Sequence, residues 1–113
     1  MLDVTFYRDD LDRLSGLFAS GHADFAEHGQ DIVCAAVSAI LLTARLGLER
    51  CAQIPVEAAQ TPGELHLHWE ASYRDLESVR AIVTTAELAT EEIARRFPEH
   101  IIVRRVREPR TAF

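Results

Sequence analysis

The sequence predicts an α+β domain of two layers, a mixed, mostly antiparallel sheet of about five strands with two helices packed on it. Three observations point there. Residues 2–8 alternate apolar and polar, the period of a half-buried strand. Residues 32–44 carry no charge and open a long buried helix, whereas Val79, Ile82, Val83, Ala86, Ala89 and Ile93 trace the stripe of an amphipathic one. Pro62-Gly63 separates two short strand-like runs, the mark of a hairpin.

In the first strand Leu2, Val4 and Phe6 share one face and Asp3, Thr5 and Tyr7 the other. Arg8-Asp9-Asp10-Leu11-Asp12 reads as a polar turn. Leu14 to Ala19 then gives a second strand leading into Gly21-His22, so the two form a hairpin. The first helix is expected from about Ile32 to Cys51, with Asp31 as its N-cap and Pro55 beyond its end. It is apolar on nearly every face before Arg45, so more than one surface must cover it, and dimer burial is one way. Val56 to Ala59, the turn Thr61-Pro62-Gly63 and Glu64 to Glu70 read as a second hairpin. Leu65, Leu67 and Trp69 face one way there, with Glu64, His66, His68 and Glu70 opposite. Ser72-Tyr73-Arg74-Asp75 has the form of a capping box opening a second helix that runs to about Arg96, and Pro98 stops it. Ile101, Ile102, Val103 and Val106 suggest a last strand.

With 113 residues, 48% hydrophobic and 27% charged, the chain is expected to form one domain, residues 1–113, around an ordinary core. No run reads as long enough to span a bilayer, and Met-Leu-Asp-Val-Thr-Phe lacks the basic and apolar regions of a signal peptide. A cytoplasmic protein with no membrane association is expected. Cys34 and Cys51 fall several turns apart on one helix, beyond disulfide reach, and are expected as free thiols. A net charge of −6, with twelve arginines and no lysine, argues against direct nucleic-acid binding. The cluster Arg104, Arg105, Arg107 and Arg110 could touch RNA, but reads more simply as a solvated edge strand and chain end.

Only the stretch from His22 to Ile40 puts nucleophile-type and base-type residues in a setting that would activate them. Cys34 falls in the first turn of the long helix, where unpaired N–H groups and the positive end of the dipole favour a thiolate. His22 lies upstream across a segment holding Gly21 and Gly29, the punctuation of a loop that could fold the imidazole onto the sulfur. A Cys–His pair is one reading. The other is a cysteine that fills an apolar core while His22 and His28 face water. A metal site of His22, His28 and Cys34 matches no common zinc spacing. His66 and His68, with Glu64 and Glu70, could be ligands or proton donors, yet they alternate as a strand's solvent face does. Ser38, four residues after Cys34 and on the same face, either bonds its own helix or supports the pair. Asp31 either caps the helix or orients the imidazole; a carboxylate beside the sulfur would by itself oppose the thiolate.

Gly21-His22-Ala23, followed by Gly29-Gln30-Asp31-Ile32-Val33-Cys34-Ala35-Ala36-Val37-Ser38-Ala39, resembles the signature of the ribosomal-processing cysteine proteases, the Prp family. The likeness is concentrated in residues 21–39, and the opening strand, Gly63-Glu64-Leu65 and Phe97-Pro98 fit it along most of the chain. It implies a small homodimeric endopeptidase that removes the N-terminal extension of large-subunit ribosomal protein twenty-seven. Its dyad maps onto Cys34 and His22. Asp31 and Ser38 fall on supporting positions, and Gly21 and Gly29 would bracket a loop that orders over substrate. The expected partners are the ribosomal protein precursor and a second copy of the chain, with no metal and no cofactor. The N–H groups near Val33 and Cys34 would be the natural oxyanion donors. The alternatives are a noncatalytic, ribosome-associated dimeric adaptor that kept the motif for packing, and a thiol-based metal or redox binder.

Overall fold

The computed structural model describes residues 1–21 and 32–108. In chain order it comprises β1 (Leu2–Arg8), β2 (Leu14–Gly21), α1 (Ile32–Leu46), β3 (Glu57–Thr61), β4 (Glu64–His68), α2 (Glu77–Arg96) and β5 (Ile101–Arg107). The five strands form one sheet in the order β3-β4-β2-β1-β5. All neighbours are antiparallel except β1 and β5, which run parallel. The mixed, mostly antiparallel sheet with two helices is the architecture the sequence implied.

Register follows from the period-two pattern, because pairing must keep each apolar set on one face. Val4 lies opposite Ala19 and Val103, and Phe6 opposite Leu17. Leu17 in turn lies opposite Leu67. Leu2, Val4, Phe6, Leu17, Leu67 and Ile101 are buried together with Val33, Val37, Leu41 and Leu48 of the first helical stretch and Val79 and Val83 of α2. Both helices lie against one another. Asp3, Tyr7 and Phe18 remain half-buried and His66 exposed, although Thr5 is buried.

The first helix reaches Cys51, but its last five residues, Gly47–Cys51, are π-helical. The Ala52 N–H bonds the Gly47 carbonyl, and Gln53 takes a left-handed φ of 57° that ends the run before Pro55. A Cβ on Gly47 would stand 3.2 Å from the Ile82 side chain, so glycine lets the helices approach here. By length and hydropathy Ile32–Cys51 is sufficient to cross a membrane, contrary to the expectation that no run reaches that length. It nevertheless buries Val33, Val37, Leu41, Ala44 and Leu48 in this fold, leaving Ile32 and Leu42 exposed.

The second helix starts at Glu77, not at Ser72. Ala71–Tyr73 form a separate 3-10 turn, and Leu76 precedes α2 without any side-chain cap. The reason lies in Arg74, which is buried and donates to the Trp69 carbonyl at 2.8 and 3.0 Å, holding the chain in a turn. Asp75 accepts from Arg13 at 2.8 Å rather than closing a capping box.

Candidate active site

The elements around the end of β2 enclose a cleft of about 260 Å³. One wall is a stripe along α1, Cys34, Val37, Ser38, Leu41, Leu42 and Arg45. Those positions recur at three- and four-residue spacing, so they share one face of the helix. The hairpin of β3 and β4 supplies the facing residues Gln60, Thr61, Gly63, Glu64 and Leu65, and Leu2, Ala19 and Gly21 complete the lining. Three of the residues singled out from sequence, Gly21, Cys34 and Ser38, therefore meet at one place. His22, Gly29 and Asp31 lie outside the described residues.

Gly21 is fixed by its surroundings. Its φ is 92°, its N–H donates to the Gly63 carbonyl at 2.9 Å, and a Cβ there would stand 2.5 Å from the Met1 carbonyl oxygen. Only glycine accepts that backbone at that separation. The start of β1, the end of β2 and the turn of the second hairpin thus converge on the residue directly before His22.

Cys34 is the third residue of α1 and half-buried, and neither it nor the exposed Cys51 is in a disulfide. It occupies the first turn, where backbone N–H groups have no partner within the helix. No acidic side chain stands among the first-turn residues of α1. Thr43, Thr85 and Thr90 each donate to a carbonyl four residues back on their own helix. Ser38 is exposed and lines the cleft one turn beyond Cys34. Arg45 and Glu64 are the charged members of the lining.

Other polar clusters stand apart from this cleft. Asp9 is buried and accepts from the N–H groups of Leu11 and Arg13 and from the Arg13 and Arg74 guanidiniums, all at 2.9–3.0 Å. Burial alone would raise its carboxyl, but these hydrogen bonds outweigh it and hold the pKa below the ordinary value. His68 does not sit on an open solvent face: its side chain is 17% exposed, with Arg74 Nη2 at 3.3 Å and Glu57 at 3.5 Å. His66 is exposed, with its ring edge-on to Phe18 at 6.1 Å. Among the described residues no group of three His, Cys, Asp or Glu side chains could hold a metal ion. The arginines of β5 are engaged within the chain, Arg104 with Asp3, Arg105 with Glu87 and Glu91, and Arg107 with Asp12. Arg110 lies outside the described residues.

Sequence reasoning did not set Gln60, Thr61 and Glu64 opposite Cys34, or place Arg45 on the same cleft wall as Cys34. The three- and four-residue spacing from Cys34 to Arg45 was the available signal for the second. Nothing local could reveal the first, because Gly63 joins the site through a bond to Gly21 across the sheet.

A family model described as cysteine protease Prp matches residues 1–102. The ribosomal processing cysteine protease Prp of Bacillus subtilis (strain 168) is 43% identical over 44 residues, 39% of this chain and 39% of that protein. The matched segment thus spans well under half the length of that curated relative. Among solved structures, the essential ribosomal processing protease Prp from S. aureus, in complex with a covalently linked product peptide, matches with a TM-score of 0.81. Identity is 22%, over 93% of this chain and 99% of that one. SMU.848 from Streptococcus mutans matches with a TM-score of 0.78 and 25% identity over 96% of both chains. These likenesses establish the shared fold.

Proposed function

From the premise that the chain belongs to the Prp cysteine protease family, whose model matches residues 1–102, we propose that it is a cysteine endopeptidase that trims large-subunit ribosomal protein twenty-seven. The bond cut joins the N-terminal extension to the mature protein. The observation that carries the reading is the meeting on one cleft of Gly21, at the end of β2, with Cys34 and Ser38 of α1.

In this reading the Cys34 thiolate, paired with the His22 imidazolium, attacks the scissile carbonyl. The C–N bond breaks as His22 donates its proton to the leaving amine, and a thioester to Cys34 remains. His22 then takes a proton from water, whose oxygen attacks the thioester and releases the carboxylate product and the thiol. The N–H groups at the start of α1, near Val33 and Cys34, stabilise the oxyanion in both steps, at the positive end of the helix dipole. Asp31 orients the imidazole or caps α1, and Ser38 supports the sulfur from one turn further along the same face. Gly21 and Gly29 bracket a segment that would order over bound substrate.

We extend the reading to a cytoplasmic homodimer; the apolar groove between the helices, lined by Ile40, Ala44, Gly47, Ile82 and Ala89, is a surface that a second copy would cover. The test is to incubate the protein and its Cys34→Ala variant with the host's precursor of the ribosomal protein and read the product's N-terminus by mass spectrometry. One defined cut, absent with the variant, is expected. An uncut precursor that carries an extension, in the presence of folded protein, would leave the noncatalytic adaptor as the better reading.

A further inference from the structure

The α1 wall of the cleft carries a register. Arg45 stands eleven residues beyond Cys34 on the same stripe. At about 1.5 Å per residue, that is about 16 Å along the helix axis. An extended peptide advances about 3.3 Å per residue, so roughly five of its residues cover that distance. Between the two ends the exposed members of the stripe are Ser38, its single hydroxyl, and Leu42, while Val37 and Leu41 are buried beneath them. A chain lying along α1 therefore passes Ser38 and Leu42 before it reaches a cation.

Arg45 has capacity to spare. Its described ion pair is to Glu49, with Nε 3.4 Å from Oε1, and both side chains are about one-third exposed. Such a pair contributes little and exchanges readily. Glu49 does not line the cleft, whereas Arg45 does. The planar guanidinium matches a carboxylate with two parallel N–H donors.

We infer that Arg45 is a specificity-determining residue: peptides bound along α1 are selected for an acidic side chain about five residues from the bond that Cys34 cuts, and against a basic one there. The inference rests on the peptidase reading of Cys34. It adds a charge rule for the substrate that the cysteine and histidine alone do not contain.

The test is to digest a library of synthetic peptides, long enough to fill both sides of the cut, with the protein, Arg45→Gln and Arg45→Glu, using Cys34→Ala as the blank. Cleavage sites are then aligned by mass spectrometry. The expected result is a preference for Asp or Glu over Lys or Arg of about fivefold in kcat/KM at one position four to six residues from the cut. It should flatten in Arg45→Gln, invert in Arg45→Glu and fade at high salt. Cys34-dependent cleavage with no charge preference in that window, or a preference unchanged in Arg45→Glu, overturns the inference and leaves the peptidase reading standing. A library left uncut by the unmodified protein overturns both.

Discussion

Gly21 illustrates how a single residue can be fixed by the chain around it. Replacing it with alanine combines a left-handed φ with a carbonyl oxygen 2.5 Å from the new methyl group. The expected loss is about 2–4 kcal/mol of stability, read as a lower denaturant midpoint, together with reduced activity because the next residue is His22. Asp9 and Arg74 form the other dense residue-scale feature. Arg74→Met removes one of two guanidiniums from a buried carboxylate and should destabilise by about 3 kcal/mol in chemical denaturation. The pH dependence has a definite sign. Because the folded Asp9 pKa lies below its ordinary value, its contribution is fully present above about pH 4 and is lost as pH falls through the folded value. Acid unfolding followed by circular dichroism should therefore steepen below about pH 4, and Asp9→Asn, weaker at neutral pH, should lose less on acidification. Neither residue was legible beforehand: Asp9 reads as one more acid in a polar turn, and its second arginine lies 65 positions away.

At the scale of elements, strands were legible where alternation was strict and helices where apolar spacing was strict. The β1 period and the α1 stripe show in the sequence because burial on one face imposes them. The start of α2 did not, since Ser72 and Asp75 imitate a cap while Arg74 is drawn into the core by Trp69 and Asp9. His68 misled for the same reason: alternation assigns it to water, but Arg74 folds over that face. Long-range charge also sets how α2 meets the sheet. Glu87 is buried and is bonded by Arg8 through two contacts of 2.9 Å, with Arg105 at 3.3 Å. Glu87→Gln should cost about 2 kcal/mol, measured as a drop in unfolding midpoint, with the change concentrated in hydrogen exchange along α2 and β5.

For the whole molecule, the layout places a cysteine at the start of a helix on a cleft whose opposite wall is a hairpin far along the chain. Half of the candidate site was legible in one stretch, because Gly21, Cys34 and Ser38 are close in sequence; the other half is assembled by strand pairing between β2 and β4. The arginine-rich end, conspicuous as a string of letters, is largely neutralised by Asp3, Asp12, Glu87 and Glu91 in the fold. The charge to which we assign a part in substrate selection is instead Arg45, the cation of a cleft lining that also holds Glu64. All of this depends on Cys34 being an activated thiolate rather than a small core residue. The direct measurement is limiting alkylation by iodoacetamide near neutral pH, with modified cysteines located by peptide mapping. Cys51 is the more exposed of the two, so accessibility alone favours it. Cys34 should be modified first, and His22→Ala should remove its advantage; modification of Cys51 ahead of Cys34 in the unmodified protein would rule out an activated Cys34 thiolate.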